Sequence, residues 1–176
     1  MYQIDFNHPA NVYFIGIGGI SMSGFAQLLH DYGFQVHGSD AHESKITDHL
    51  ESLGIHIIYG QSKENITDDI DFVVYTAAIH PDNPEFKAAQ EMGLPMMERA
   101  EMVGQVMKNY QNAIAISGTH GKTTTTSMVS HIFLEAQKDP TISVGGILKA
   151  IDGNIRVGHS HDFITEACEY TNSFLK

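Results

Sequence analysis

The chain has 176 residues, of which 42% are hydrophobic, the composition of a globular protein long enough for one domain and part of a second. It carries 10 basic and 21 acidic side chains, a formal charge of −11, which argues against a surface that grips nucleic-acid phosphates by bulk attraction. Residues 1–110 hold 5 basic and 15 acidic side chains, so an anionic ligand bound there has to rely on backbone amides.

No apolar run approaches the roughly 18 residues that a membrane span needs, and no charged segment followed by an apolar one indicates a secretory leader. Cys168 is the only cysteine, which excludes an internal disulfide and fits a reducing compartment. We therefore expect a cytoplasmic protein with neither a membrane nor a nucleic acid as partner. The histidines show no spacing typical of a zinc site.

Apolar runs rich in β-branched and aromatic residues alternate with helix-like segments as far as residue 100. The runs are NVYFIGIGG, GFQVHGSD, GIHIIYG, DFVVYTAAI and GLPMMERA. The segments between them are ISMSGFAQLLHDY, ESKITDHLESLG, a short polar piece at 61–67, and NPEFKAAQEMG. Strands that crossover helices bury on both faces read as continuous apolar runs. The pattern predicts a Rossmann-like, doubly wound α/β domain over residues 1–110.

A second series follows the helix-like segment AEMVGQVMKNY: the strand NAIAISG, a turn at the threonine stretch, and the helix TSMVSHIFLEAQ. The 3.6-residue period predicts one apolar helix face, formed by Met128, Val129, Ile132, Phe133 and Ala136. TISVGGIL, a turn at 152–154, IRVG and the candidate strand DFITEACEY come next.

About 65 residues follow residue 110, too few to complete a doubly wound sheet with its helices. We therefore expect a truncated protein in which residues 111–176 are the incomplete start of a P-loop-type ATPase domain. The alternative is one compact domain whose last strands join the first sheet.

The segment GIGGISMSG, residues 16–24, follows a predicted strand and opens a predicted helix, where N–H groups can bind a phosphate. Gly16 and Gly18 permit a tight turn, but Ser21 occupies the third position of GxGxxG, so the dinucleotide fingerprint is imperfect. Asp40 follows Gly16 by 24 residues, about where a Rossmann acid binds a ribose hydroxyl. The pattern favours a nucleotide diphosphate without identifying the nucleotide. The alternative is that the glycines serve only the strand-to-helix turn and bind no ligand.

The segment SGTHGKTTTT, residues 117–126, places Gly121, Lys122 and Thr123 between a predicted strand and a predicted helix. Amides from Gly118 to Thr124 would face a nucleoside triphosphate, Lys122 would neutralise its β and γ phosphates, and Thr123 would offer a hydroxyl to Mg²⁺. The loop is two residues tighter than GxxxxGK[ST]. Threonines weaken a helix interior but can cap amides or bind metal near its first turn, which accounts for the run.

Glu166 would emerge near the C-terminal end of its strand if DFIT runs parallel to NAIAIS. A carboxylate there could hold a second magnesium ion or polarise water on the first. Glu169 is interpreted as a surface charge.

The ordered motifs GIGGISMSG, GSD, VVYTAAIHPDNPEF, ERAEMV, GTHGKTTTT, VGG and EACEYTNSF resemble those of the Mur ligase family over nearly the whole chain. The resemblance implies a Rossmann-like domain for a UDP-sugar, a central ATPase domain and a C-terminal domain, of which this chain would hold the first and the start of the second. EACEYTNSF departs from the commoner EADESDGSF, which leaves Glu166 in place but makes a metal role for Cys168 doubtful.

The resemblance further implies an ATP-dependent amide ligation. The carboxylate of UDP-N-acetylmuramate would attack the γ-phosphate to give an acyl phosphate, and the amine of L-alanine would displace the phosphate. Lys122, Thr123 and Glu166 would be catalytic, the last two as magnesium ligands. The implied ATP contacts are Gly118, Thr119, His120, Gly121, Lys122, Thr123 and Thr124. The implied UDP-sugar contacts are Gly16, Gly18, Gly19, Ile20, Ser39, Asp40, Thr76, Ala77 and Ala78.

Two other functions stay open. An NAD- or FAD-dependent oxidoreductase would use the first loop and Asp40 but leaves the GKT loop unexplained. A related ligase that attaches a whole peptide to the same UDP-sugar would share both loops. For this chain taken alone we expect UDP-sugar binding without turnover.

Overall fold

A computed structural model describes residues 2–167 of the chain, so Cys168 and Glu169 lie outside the described residues. The chain divides into two compact units after Met102, within helix α4 (Arg99–Met107), and the predicted domain boundary lies a few residues later, at Tyr110. Between residues 2 and 167, no helix is long and apolar enough to cross a bilayer.

The first unit contains a five-stranded parallel sheet in the order β3-β2-β1-β4-β5. Its strands are β1 (Asn11–Ile15), β2 (Gln35–Asp40), β3 (His56–Tyr59), β4 (Phe72–Tyr75) and β5 (Met96–Glu98). The crossovers contain α1 (Ile20–Asp31), α2 (Lys45–Ser52), a 3₁₀ turn (Lys63–Asn65) and α3 (Pro84–Glu91). These elements confirm the predicted doubly wound sheet. The order reverses between β1 and β4, which is the switch point where open α/β sheets bind ligands.

The central strand of this sheet is buried on both faces. All four residues from Val12 to Ile15 are fully buried, as are Phe72, Val73 and Val74 on the neighbouring strand. Tyr13, Ile15 and Val73 belong to one hydrophobic cluster with Ala88 and Ala89 of α3. The continuous apolar runs in the sequence are therefore strands that are buried on both faces, as predicted.

The second unit has its own four-stranded sheet in the order β6-β9-β7-β8. The strands are β6 (Asn112–Ile116), β7 (Thr141–Leu148), β8 (Gly153–Arg156) and β9 (Asp162–Glu166), with α5 (Lys122–Glu135) after β6 and a 3₁₀ turn (Lys149–Ile151) after β7. β9 pairs in parallel with β6 and β7, and β8 is antiparallel to β7. Because the last strands form a separate sheet, the alternative of a single extended sheet is wrong.

Helix α5 differs from the prediction in its start and in its buried face. It begins at Lys122, so the threonine stretch is helical rather than a turn. Met128 and Ile132 are 61% and 65% exposed, whereas Thr126 and Ser130 are fully buried. The Ser130 hydroxyl donates to the Thr126 carbonyl at 2.7 Å, which satisfies that donor. Val129 and Phe133 of the predicted face do pack against the core of the second sheet. The period was therefore predicted correctly, but the buried stripe is rotated towards the small side chains of Thr126 and Ser130.

His37 on β2 is half-buried, and its ring lies edge-on to that of Tyr13 with 5.2 Å between centroids. Burial lowers the pKa of His37 below its ordinary value of 6.5, and His56 lowers it further, while the Asp69 carboxylate opposes the shift. The neutral imidazole is therefore the form that the fold favours.

Acidification should weaken the first unit through His37. Because its folded-state pKa is lowered, the unfolded chain binds a proton that the folded chain refuses, so stability is complete above pH 6.5 and declines as the pH falls below it. Urea unfolding between pH 7.5 and 5 should show this decline, and His37→Gln should reduce its slope. His80→Gln, at a histidine whose side chain is 85% exposed, is the control and should leave the slope unchanged. Equal slopes in all three proteins would contradict the assignment.

Candidate functional site

A glycine-rich loop joins the C-terminal end of β1 to the N-terminus of α1 at the switch point of the first sheet. Gly16 has φ +81°, a conformation that glycine adopts without strain. The N–H groups of Gly16 and Ile17 both donate to the carbonyl oxygen of Ser39, each at 2.9 Å, and Gly19 donates to Gly16 at 3.3 Å. Main-chain hydrogen bonds to β2 therefore fix the first part of the loop.

Asp40 holds the next part of the loop. Its Oδ2 accepts a hydrogen bond from the Gly18 N–H at 2.8 Å. A Cβ atom on Gly18 would lie 2.7 Å from the same oxygen and 3.0 Å from Cγ2 of Thr47, so any larger residue would have to displace the Asp40 side chain. The amides of Gly16, Gly18 and Gly19 thus already have acceptors within the protein. This differs from the expectation that they donate to a phosphate.

The first turn of α1 is the part of the loop region suited to an anion. Gly19 precedes the helix without a capping side chain, and the first main-chain bond of the helix runs from Ser23 to Gly19 at 2.8 Å. The N–H groups of Ser21 and Met22 in the first turn have no acceptor within the helix, and the positive end of the helix dipole lies there. A phosphate at this position would accept hydrogen bonds from these N–H groups, and the helix dipole would attract its negative charge.

Arg99 places a positive charge at the same helix end. Its Nη1 donates to Oγ of Ser21, the second residue of α1, at 3.3 Å. Arg99 was not among the predicted site residues, although it follows a strand within the motif ERAEMV. The position of Arg99 beside α1 depends on the strand order, because Arg99 follows β5 and α1 follows β1. These two strands are neighbours neither in the sequence nor in the sheet.

The segment after β4 lies against the glycine loop. A Cβ atom on Gly16 would lie 3.9 Å from Cγ2 of Thr76. The Thr76 hydroxyl accepts the Ala78 N–H at 3.1 Å, and Ala77 and Ala78 are exposed. The structure therefore brings the predicted segment 76–78 to the predicted loop, as the switch-point geometry requires.

Ser39 is placed differently from the expectation that it contacts a ligand. The residue is fully buried, and its hydroxyl donates to the carboxylate of Glu85 at 2.6 Å. Its contribution to the site is the main-chain carbonyl that accepts two N–H groups of the loop.

The lysine-bearing loop of the second unit joins β6 to α5. Gly118 and Gly121 have φ values of +154° and +77°, which only glycine adopts readily. No side chain caps α5, and Nζ of Lys122 donates to the Gly118 carbonyl at 2.7 Å, so the ammonium group folds over the loop. The other predicted ATP contacts, Thr119, His120, Thr123 and Thr124, are all exposed.

Glu166 lies at the C-terminal end of β9, opposite Ile116 at the end of β6, which confirms the predicted parallel placement. Its Oε1 accepts the Gly145 N–H at 2.8 Å. A Cβ atom on Gly146 would lie 3.5 Å from Cγ2 of Thr123. Gly145 and Gly146, at an irregularity of β7, thus lie next to both predicted magnesium ligands. The carboxylate and the exposed hydroxyl are hard oxygen donors of the kind that Mg²⁺ prefers.

A parallel sheet with an uncapped helix end at its switch point, followed in the chain by a GKT loop on a second sheet, is an architecture of nucleotide-binding α/β proteins. The model of the Mur ligase family, catalytic domain, matches residues 11–111. The chain belongs to the Mur ligase family, which confirms the resemblance of its motifs.

Two curated relatives are named UDP-N-acetylmuramate--L-alanine ligase. The protein of Agathobacter rectalis is 65% identical over 175 residues, which cover 99% of this chain and 38% of the relative. The protein of Lachnospira eligens is 66% identical with the same coverage. The chain therefore spans about 38% of the length of these relatives.

Solved structures of similar proteins support the fold. The UDP-N-acetylmuramate-alanine ligase of Thermotoga maritima is 36% identical with a TM-score of 0.80, over 89% of this chain and 36% of that protein. The UDP-N-acetylmuramate:L-alanyl-gamma-D-glutamyl-meso-diaminopimelate ligase of Neisseria meningitides is 27% identical with a TM-score of 0.83, over 93% of this chain and 54% of that protein.

The two neighbouring glycines of the first loop should respond differently to the same substitution. Gly18→Ser should lower the free energy of unfolding by about 1–3 kcal/mol, because its Cβ atom would displace the Asp40 carboxylate. Gly19→Ser should stay within about 0.5 kcal/mol, because its Cβ atom has ordinary contacts from 3.5 Å outwards and serine is a favoured N-cap. Urea unfolding measures both. Equal losses would contradict the role of Asp40 in holding the loop.

Proposed function

We propose that this chain is the N-terminal portion of an ATP-dependent ligase that joins L-alanine to the carboxylate of UDP-N-acetylmuramate in cytoplasmic peptidoglycan precursor synthesis. The structural observation that carries the proposal is the succession of two strand–loop–helix junctions, each ending in a helix N-terminus without a capping side chain. Identity of 65% to a relative named for this substrate and amino acid, over 99% of the chain, supports the specificity.

The first unit would bind the UDP-sugar. Its diphosphate would lie at the first turn of α1, where Arg99 adds a positive charge in a region that is otherwise strongly acidic. The helix end and one guanidinium together suit a diphosphate, because hydrogen bonds between charged partners are roughly twice as strong as neutral ones. The segment 76–78, of which Ala77 and Ala78 are exposed, would line the sugar side. Asp40, beside the loop, would lie on the uridine side.

The second unit would bind ATP. Lys122 now donates to a neutral carbonyl, and exchanging that acceptor for phosphate oxygens would give a stronger, charge-assisted bond. Thr123 and Glu166 would hold magnesium, which when bound neutralises charge on the triphosphate. The amides at the start of α5 would orient the γ-phosphate for in-line attack by the sugar carboxylate. The attack would give an acyl phosphate and release ADP, and the amine of L-alanine would then displace inorganic phosphate to form the amide.

The alternatives are supported less well. A nicotinamide or flavin enzyme would use the first loop and the acid after β2, but it leaves the lysine-bearing loop of the second unit without a role. A ligase that adds a peptide to the same sugar has a structural counterpart with a TM-score of 0.83 but only 27% identity. Identities of 65% and 66% favour L-alanine over the peptide.

Arg99 should contribute to binding of the diphosphate. By calorimetry the chain should bind UDP and not NAD, and Arg99→Ala should weaken UDP binding about tenfold, or by about 1.4 kcal/mol, through loss of a charged donor. Lys87→Ala removes an equal charge from a side chain that is 54% exposed and lies near Asp82, and it should leave the affinity unchanged. The same loss in both variants would show a general charge effect and contradict the site. Binding of NAD without UDP would contradict the proposed function.

Turnover should be absent from this chain, because it spans only about 38% of the length of its relatives. Incubation with ATP, Mg²⁺, UDP-N-acetylmuramate and L-alanine should release no more phosphate than the Lys122→Ala variant does. Phosphate release that depends on L-alanine and is lost in Lys122→Ala would overturn this expectation.

A further inference from the structure

A buried carboxylate lies beneath the glycine loop of the first unit. Glu85, the second residue of α3, is fully buried. Its Oε1 accepts hydrogen bonds from the Tyr13 hydroxyl at 2.8 Å and the Asn65 amide at 2.6 Å, and its Oε2 accepts the Ser39 hydroxyl at 2.6 Å. The donors come from β1, from the 3₁₀ turn and from β2, which this one side chain joins.

Burial of such a group is costly unless its acceptors are satisfied. Three donors and the N-terminal turn of α3 compensate Glu85 here. Burial raises the pKa of Tyr13 above 10.0, and the charge of Glu85 raises it further, so the phenol stays a donor at neutral pH. Removal of any single donor leaves part of the carboxylate unsatisfied, which makes the geometry of the group strict.

Of the three donors, Ser39 is the one whose main chain bonds directly to the loop. Ser39 donates its hydroxyl to Glu85 and at the same time accepts, on its main-chain carbonyl, the N–H groups of Gly16 and Ile17. Its neighbour Gly38 lies so close to β1 that a Cβ atom there would be 2.3 Å from the Phe14 carbonyl oxygen. The backbone of Ser39 is therefore held by close strand packing on one side and by Glu85 through its side chain.

We propose that Glu85 is a positioning residue for the diphosphate site: through Ser39 it orients the carbonyl that anchors Gly16 and Ile17, and so sets where α1 presents its first-turn N–H groups. The inference rests on the proposed function of this loop. A carboxylate suits the task because two oxygens can accept from several elements at once, whereas an apolar residue would leave the Ser39 hydroxyl without an acceptor.

Three variants separate this role from simple stabilisation. Ser39→Ala removes the hydroxyl that connects Glu85 to the loop, and Glu85→Gln replaces one acceptor by a donor. Tyr13→Phe removes a different bond to the same carboxylate while the Ser39 hydroxyl stays in place. Hydrogen exchange of the Gly16 and Ile17 amides reports loop anchoring without any ligand, and calorimetry with UDP reports the site. Urea unfolding shows that each variant is folded under the conditions used.

We expect Ser39→Ala and Glu85→Gln to speed exchange of both amides and to weaken UDP binding, each about tenfold. Tyr13→Phe should lower stability but leave exchange and affinity within about twofold. The proposal is overturned if the loop amides and the affinity are unaffected in Ser39→Ala, or if Tyr13→Phe changes them equally. If Glu85→Gln does not fold, the comparison of amide exchange and UDP affinity between Ser39→Ala and Tyr13→Phe decides whether the proposal holds. Failure of the unaltered chain to bind UDP would refute the proposed function, while exchange would still decide whether Glu85 anchors the loop.

Discussion

An acidic protein that binds polyphosphates, as proposed for this chain, would have few cationic side chains to offer, and backbone N–H groups at helix ends would have to take their place. In the first unit the glycine loop does not itself present these groups, because Ser39 and Asp40 already accept the amides of Gly16, Ile17 and Gly18. The loop instead sets the position of the N-terminus of α1. The site is thus a helix end held in place by an internally bonded loop, with Arg99 as its nearby charge.

At the triphosphate site proposed for the second unit, a lysine side chain adds a positive charge to the helix end. Lys122 is the first residue of α5, and its ammonium group donates to the Gly118 carbonyl. The positive charge therefore lies within the loop that a nucleotide would enter. The glycine pair of β7 brings backbone between Thr123 and Glu166 without side-chain bulk, since a Cβ atom on Gly145 would lie 2.9 Å from Glu166 Oε2. In both units glycine allows the backbone to approach neighbouring side chains closely, in addition to allowing tight turns.

The parallel sheet could be predicted from sequence, because continuous apolar runs and glycine-ended helices are local signals. The buried face of α5 could be predicted only in part. Val129 and Phe133 pack against the core as expected, but hydropathy favours Met128 and Ile132 where the fold buries Thr126 and Ser130. Glu85 was missed for a related reason: in the sequence it is an ordinary acid in the first turn of a helix. Its burial depends on donors from three elements that only the fold brings together.

The central claim is that the first turn of α1, rather than the glycines before it, receives the diphosphate. Titration of the ¹⁵N-labelled chain with UDP tests this most directly, with the amide resonances followed by NMR. The account predicts the largest shifts at Ser21 and Met22, with Gly16 and Gly18 little changed because their amides keep the acceptors seen here. Largest shifts at Gly16 and Gly18, with the first turn of α1 unaffected, would contradict it.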